Sequence, residues 1–214
     1  MQEMTRFQKK VFILLPIFYA MGFLFHLYEP TFPLMLIFTP YTLLGTAIIG
    51  FLPDVLAKNR TLLVWALATF LCTLTLEILG VATGMIFGSY IYGQTLGLSV
   101  LGVPILIGIN WTLIIMGSLA LVKRICSHSS LVALGTATIT VIFDWIMEPV
   151  AIALDYWNWE GGDIPMQNYI AWFLIAFLFA RIHEAKGLKS TSSIPSLIVV
   201  VQALFFLLLR LFVI

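Results

Sequence analysis

The chain has 214 residues, of which 61% are hydrophobic and only 10% are charged, whereas about a quarter of an average soluble domain is charged. The formal net charge of +1 excludes the strongly basic surface on which nucleic-acid binding depends. Apolar runs of about 20 residues, long enough to cross a membrane as helices, fill almost the whole sequence. We therefore expect one integral membrane domain over residues 1–214, embedded in the lipid bilayer.

Hydropathy predicts an all-α, polytopic membrane helix bundle with about seven transmembrane helices. In chain order, the predicted spans are residues 11–28, 33–52, 62–81, 103–122, 131–154, 168–182 and 194–213. Because these spans and short connections account for nearly all of the chain, no separate soluble domain is expected.

The distribution of basic residues predicts the orientation of the bundle. Ten of the eleven Lys and Arg residues lie near the N-terminus or around the connections that follow the second, fourth and sixth spans. By the positive-inside rule, these segments and the N-terminus face the cytoplasm, which predicts a multi-pass protein of the cytoplasmic membrane. Arg210, in the last span, is the single exception.

Three carboxyl side chains fall inside the predicted spans: Glu77 in the third, and Asp144 and Glu148 in the fifth. A charged carboxylate at mid-bilayer costs about 2.5–3.5 kcal/mol, so such residues usually have a function. The rise of 1.5 Å per residue places all three at a similar depth, toward the outer face. The alternative is a structural role, in which they bond to Asn110, Trp111, Trp145 or the backbone and hold helices together.

Asp144 and Glu148 are four residues apart and therefore share one face of a helix. Two acids this close in a medium of low dielectric do not both ionise easily, and no Lys or Arg of the same spans neutralises them, so we expect at least one to retain a proton. Pro149 directly after the pair should kink or loosen the helix and open space beside it.

The connections at residues 84–102 and 155–167 are rich in aromatic residues and glycine, which indicates either an aromatic belt at the membrane interface or a lid over a cavity. Gly80, Gly84 and Gly88 recur every four residues, a spacing that in a helix forms a smooth stripe for packing. His26 and Glu29 are either an accessory pair or, more simply, exposed at the interface.

Several classes of protein are excluded by missing residues. A retinal protein needs a lysine inside a span, and residues 194–213 contain none; a di-iron enzyme needs clustered histidines, and the chain has three scattered ones. Motifs for nucleotides and for magnesium diphosphate are also missing. What is left is acid chemistry on an apolar molecule, without a metal or cofactor.

Four stretches carry a resemblance to a known family: EILGVATGMIFGSY from Glu77, GVPILIGINW from Gly102, DWIMEPVAIALDYWNW from Asp144 and IPMQNYIAW from Ile164. In these stretches the chain resembles the carotenoid biosynthesis membrane proteins, which include carotenoid 1,2-hydratases and bisanhydrobacterioruberin hydratases. The resemblance implies that water is added to the terminal C1=C2 double bond of an acyclic carotenoid, such as lycopene or gamma-carotene, without a redox cofactor.

Hydration of such a bond starts with protonation at C2 and passes through a tertiary carbocation at C1, so it needs a strong local acid. We expect Asp144 or Glu148 to deliver the proton and a second carboxylate, Glu77, to orient or deprotonate the attacking water. The remaining candidates bind substrate: aromatic rings that stabilise the cation, at Trp111, Trp145, Tyr90 and Trp157, and amides that hold the water, at Asn110 and Asn168.

Two alternatives stay open on the sequence alone. A carotenoid end-group cyclase would use the same protonation but close a ring in a dry pocket. A proton-coupled transporter would use intramembrane acids to move protons with a solute, although the chain shows no inverted repeat.

Overall fold

The computed structural model describes residues 4–214, and this part of the chain folds into seven α-helices. They are α1 (Arg6–Leu27), α2 (Phe32–Leu56), α3 (Arg60–Thr83), α4 (Ile105–Val122), α5 (Ser129–Ala153), α6 (Met166–Ala185) and α7 (Ile194–Phe212). A short 3-10 helix, Glu29–Thr31, joins α1 to α2. The predicted all-α membrane bundle is confirmed, and each predicted span corresponds to one helix.

Six of the helices in residues 4–214 are long and apolar enough to cross a membrane, so the chain is a multi-pass membrane protein. The remaining helix, α6, is long enough but less apolar, because polar and charged residues occupy both of its ends. It packs chiefly along α5. This pairing brings the polar first turns of α6 against the last turns of α5.

Helix α4 occupies the centre of the bundle. It has no charged residue along its length, and it contacts α2, α3, α5, α6 and α7. Most of the residues of α4 are buried by these neighbours. The hydrophobic core therefore forms around α4, and the surrounding helices present their outer faces to lipid.

Helix α5 continues through Pro149 to Ala153. Proline has no N–H, so the carbonyl of Trp145, four residues earlier, lacks its usual partner in the helix. The Nη1 atom of Arg210 donates a hydrogen bond to that carbonyl at 2.9 Å, and the guanidinium carbon lies 4.4 Å from the centre of the Trp145 ring. The basic residue that departs from the charge pattern thus has a local structural role.

Two aromatic connections at one end of the bundle are tied together by a small antiparallel sheet. Strand β1 (Tyr90–Tyr92) pairs with β4 (Trp157–Trp159), and β2 (Ser99–Val100) forms a separate hairpin with β3 (Val103–Pro104). The two residues between β2 and β3 have positive φ, as in a type I′ turn. Hydropathy gave no sign of these strands.

The glycine stripe predicted for the third span is wrong. Helix α3 ends at Thr83, and Gly84 caps it with a left-handed φ of 67°. Gly88 lies in the following connection and also has a positive φ. The repeat of four therefore does not continue along a helix, because a left-handed residue ends it.

At the opposite end of the bundle lies a buried acid, Asp54, which is just beyond the end of the predicted second span, residues 33–52. Helix α2 extends to Leu56, so Asp54 belongs to its last turn and is fully buried. Its carboxylate accepts hydrogen bonds from the side chains of Asn59 and Ser190 and from the backbone N–H of Thr191, at 2.7–2.9 Å. We call this group the Asp54 latch, because it ties the α2–α3 connection to the α6–α7 connection.

Candidate active site

The three intramembrane acids lie together around one small cavity, the acid cavity, at the end of the bundle that carries the β1–β4 sheet. Glu77 comes from α3, Asp144 and Glu148 come from α5, and Asn168 comes from the first turn of α6. The rest of the wall consists of aromatic residues: Tyr90, Tyr92, Trp111, Trp157, Trp159 and Trp172. All three acids are buried.

Glu77 is held by two tyrosines of β1. The hydroxyl groups of Tyr90 and Tyr92 both donate to its Oε2 atom, the latter at 2.8 Å. Burial, followed by the charge of Glu77, raises the pKa of each tyrosine above its ordinary value, so both hydroxyls keep their protons. The hydrogen bonds recorded within residues 4–214 leave Oε1 of Glu77 without a donor.

Glu148 is held by three N–H donors. The indole N–H groups of Trp157 and Trp159, both in β4, donate to its Oε2 atom at 3.0 and 2.9 Å. The side-chain amide of Asn168 donates to Oε1 at 3.2 Å. Because indole and amide N–H groups can only donate, and bond more strongly to a charged acceptor, this arrangement favours the carboxylate form of Glu148.

Asp144 is bonded on one oxygen only. The amide of Asn168 donates to its Oδ2 atom at 2.8 Å, so one amide nitrogen contacts both Asp144 and Glu148. Asp144 is only 1% exposed, and its buried Oδ1 atom has no hydrogen-bond partner within the described chain. An unpaired buried oxygen is costly. Here it belongs to Asp144, whereas the neighbouring Glu148 accepts three hydrogen bonds.

No Lys or Arg lines the acid cavity in the part of the chain that the structure describes. Three carboxyl groups without a cation cannot all be charged in a medium of low dielectric. The site therefore favours retention of at least one proton, and Asp144, which accepts the fewest hydrogen bonds of the three acids, is the first candidate to carry it.

Aromatic rings pack closely around the acids. Trp111 and Trp172 are stacked with their ring centres 3.7 Å apart, and Tyr90 lies 4.8 Å from Trp159. Closely packed rings limit the access of bulk water, and a ring face that is turned toward the cavity attracts a positive charge. The combination of a proton-bearing acid and an aromatic wall is suited to forming and stabilising a carbocation.

The structure brings together seven of the nine residues that the sequence nominated: the three acids, Tyr90, Trp111, Trp157 and Asn168. It leaves out the other two. Trp145 is 54% exposed and packs against Arg210, and Asn110 is half-buried without lining the cavity. Each of the two lies next in sequence to a residue that does line the cavity. Adjacent residues in a helix point about 100° apart, so both side chains leave the site.

His26 and Glu29 do not line the acid cavity, and no hydrogen bond or ion pair joins them within residues 4–214. The interfacial exposure expected for His26 is wrong: it is only 8% exposed, and its Nδ1 atom bonds to the carbonyl of Gly22 at 2.7 Å. Glu29 is exposed in the short 3-10 helix. The side chain of His26 turns back along its own helix, away from Glu29.

Three residues of the wall were missed by sequence reasoning, namely Tyr92, Trp159 and Trp172. A periodicity signal was available for each. Tyr92 and Trp159 lie two residues after nominated aromatics, and in a strand residues i and i+2 share one face. Trp172 lies four residues after Asn168 on α6, and therefore on the same helical face.

The acid cavity has a volume of about 20 Å³. A single water molecule needs a space of roughly 10–15 Å³ and two or more polar partners, so the cavity has room for one water between the acids. It is too small for a branched hydrocarbon end group. Entry of such a group requires the β1–β4 sheet or a neighbouring helix to move.

The chain is similar to known proteins of carotenoid biosynthesis. A family model described as "Carotenoid biosynthesis protein" matches residues 37–214, a range that includes every residue of the acid cavity. A curated relative, bisanhydrobacterioruberin hydratase of Haloarcula japonica, is 29% identical over 161 residues, which cover 68% of this chain and 54% of the relative. The match thus spans about half the length of that relative. No solved structure matches the chain.

Proposed function

The chain belongs to the carotenoid biosynthesis protein family, and we propose that it is a carotenoid hydratase. The proposed reaction adds water across the terminal C1=C2 double bond of an acyclic carotenoid end group, such as that of lycopene or gamma-carotene. The observation that carries the proposal is the unpaired Oδ1 atom of Asp144, which is buried among aromatic rings beside two further acids. The hydratase named among the relatives supports the same reaction class.

In this proposal Asp144 is the proton donor. Its Oδ1–H transfers a proton to C2 as the π electrons of the double bond form the new C–H bond, leaving a tertiary cation at C1. Glu148, supplied with three N–H donors, stays ionised and balances the positive charge. The indole of Trp111 contributes through its ring face, an effect of about 1–2 kcal/mol for a well-placed ring, while Trp172, stacked against both Trp111 and Phe87, holds that indole in position.

Glu77 is the proposed base. Its Oε2 atom is fixed by Tyr90 and Tyr92, whereas Oε1 is left to accept a hydrogen bond from water. The water oxygen attacks C1, and Oε1 takes the proton that it releases. Transfer of this proton back to Asp144 completes the cycle, so that the net change is the addition of one water molecule without a redox cofactor.

The small polar cavity favours hydration over ring closure. A cation formed in a dry pocket reacts with a neighbouring double bond of the same chain, whereas one formed beside a held water is captured by it. The acid cavity has both the polar partners and the space for a water molecule. We therefore place the cyclase reaction second.

The apolar substrate should reach the site sideways from the bilayer. Its end group would enter beneath the β1–β4 sheet, while the polyene remains among apolar side chains. We further propose that this sheet, on the face opposite the basic connections, lies at the outer surface of the cytoplasmic membrane, with the N-terminus inside.

The test is expression of the chain in cells that make lycopene or gamma-carotene, in water labelled with heavy oxygen, followed by mass analysis of the pigments. We expect products that are heavier by one or two labelled water molecules. A new pigment of unchanged mass would indicate the cyclase. Unchanged pigments with any acyclic carotenoid, from protein shown to be folded in the membrane, would refute the hydratase.

A further inference from the structure

A second, larger cavity lies on the lipid-facing side of the bundle. It has a volume of about 490 Å³ and is lined by the adjoining parts of α1, α2 and α7 together with Tyr156. Among the described residues, it shares no lining residue with the acid cavity. Its size is in the range of pockets that bind small molecules. We call it the lipid-side cavity.

Most of the wall is apolar, and part of it opens to the bilayer. Phe18, Phe38 and Tyr41 are exposed at its rim, where lipid surrounds the protein. A molecule that enters from this side has to be soluble in hydrocarbon. An ion or a strongly polar metabolite would lose its hydration without compensation, so the occupant is predominantly apolar.

Two residues that line this cavity, His26 and Gln202, each have a buried acceptor atom without a donor among the described residues. The Nδ1 atom of His26 bonds to the carbonyl of Gly22, which can only accept, so Nδ1 carries the proton and Nε2 has a free lone pair. Nε2 is buried and has no partner in residues 4–214. The same holds for the Oε1 atom of Gln202, a residue that is 1% exposed.

The polar neighbours do not supply the missing donor to Gln202. Its Nε2 atom donates to the hydroxyl of Tyr19 at 3.0 Å, and that hydroxyl lies 3.0 Å from Oγ1 of Thr46. In this arrangement of hydrogen bonds, Oε1 of Gln202 is the unsatisfied end. Because a buried acceptor without a partner is costly, the wall is complementary to a ligand that brings a donor.

We propose that the lipid-side cavity binds an isoprenoid chain through a terminal hydroxyl group, which donates to Gln202 or His26. The hydroxyl is the neutral donor that an apolar chain can carry into such a site. That this ligand is the reaction product, a tertiary alcohol, rests on the proposed function.

The position of the cavity agrees with a product site. Tyr156, in its wall, lies 6.2 Å from the ring of Trp157, in the wall of the acid cavity. Phe206, also in its wall, lies 5.9 Å from Phe143, the residue before Asp144. Contacts between aromatic rings thus connect the wall of the lipid-side cavity with that of the acid cavity. Rotation of these rings would let a hydroxylated end group move from one to the other.

The experiment measures binding of two coloured probes, lycopene and 1-hydroxylycopene, to purified protein in lipid nanodiscs. It uses Asp144→Asn protein throughout, so that neither probe is converted. We expect 1-hydroxylycopene to bind about five- to tenfold more tightly, the advantage of one added hydrogen bond. Gln202→Leu and His26→Phe should each reduce this preference, and the double variant should remove it without weakening the binding of lycopene.

Matched controls separate the proposed contact from general effects. Gln94→Leu and His128→Phe make the same exchanges at exposed positions and should keep the preference. Thr42→Phe places a ring in the cavity, keeps both acceptors and should weaken binding of the hydroxylated probe. Gel filtration and thermal unfolding of each variant show that it is folded.

Equal binding of the two probes by the starting protein would overturn the proposal. A preference that survives in the folded double variant or in Thr42→Phe would also overturn it. So would equal displacement of both probes by added phosphatidylglycerol, because a lipid acyl chain would then be the occupant of the cavity. These results are independent of turnover. A chain that hydrates lycopene but shows no preference would refute this inference alone, and a chain that shows the preference without hydration would refute only the proposed function.

Discussion

The two ends of the bundle each bury an aspartate, but in different surroundings. At one end Asp54 accepts three hydrogen bonds, all from residues of two neighbouring polar connections. At the other end Asp144 accepts one, from Asn168, and its second oxygen has no partner within the described residues. Both residues are almost completely buried.

The difference shows how a buried acid is suited to structure or to chemistry. The Asp54 latch satisfies its carboxylate with backbone, hydroxyl and amide donors, so these hydrogen bonds stabilise the fold. Asp144 shares its amide donor with Glu148 and faces a cavity, an arrangement that gains nothing for the fold. A buried unsatisfied group of this kind calls for an explanation, and the catalytic role that we propose for Asp144 provides one.

The largest expected effect on activity is that of Asp144→Asn. The amide keeps the shape of the side chain and an oxygen for Asn168, but it has no acidic proton to deliver. We expect conversion of carotenoid to fall by about a thousandfold or more, with stability changed by less than about 1 kcal/mol. Pigment analysis and chemical unfolding of the same preparation measure both quantities, and full conversion would rule out Asp144 as the acid.

Glu77→Gln should lower the rate by about a hundredfold. The variant keeps an oxygen for Tyr90 and Tyr92 but cannot take the proton released by the attacking water. Single-turnover assays in detergent compare it with Asp144→Asn. A larger loss in the glutamine variant than in the asparagine variant would reverse the proposed ranking of the two acids.

Trp159→Phe should lower the rate by about tenfold. The ring keeps most of its packing against Tyr90, but Glu148 loses one of its two indole donors and is less able to remain charged. Trp157→Phe removes the other donor to the same oxygen and should have a similar effect. If both single variants keep full activity, the ionised state of Glu148 does not contribute to the reaction.

Asp54→Asn tests the other side of the comparison. In this variant an amide NH₂ group replaces an oxygen that accepts hydrogen bonds. Because NH₂ cannot accept from the surrounding donors, we expect the free energy of unfolding to fall by about 1.5–3 kcal/mol. Activity per folded molecule should change by less than about twofold. Stability unchanged by this variant would mean that the latch does not hold the two connections together.

The smallest effect is expected for Trp145→Phe, which exchanges an aromatic ring that faces away from the acids. The backbone carbonyl that accepts from Arg210 is unaffected. The rate should therefore stay within about twofold, in contrast to Trp159→Phe in the same assay. A tenfold loss in a folded Trp145 variant would place this residue in the site after all.

Much of the site was predictable because its acids are unusual where they occur. Glu77, Asp144 and Glu148 stand out in apolar spans, and the rise per residue of a helix gives their common depth. Trp145 could have been excluded, since it follows Asp144 directly and so points to another face of α5. The role of Arg210 was not predictable, because it depends on the contact of α7 with α5.

The sequence by itself determined that the chain is a helical membrane protein and which carboxyl groups enter the bilayer, because both follow from composition along consecutive residues. Only the tertiary structure decided that β1 and β4 supply the donors for Glu77 and Glu148, that Asp144 keeps an unpaired oxygen, and that a second cavity lies beside His26. These features depend on the rotation and packing of elements far apart in the chain, which hydropathy does not specify.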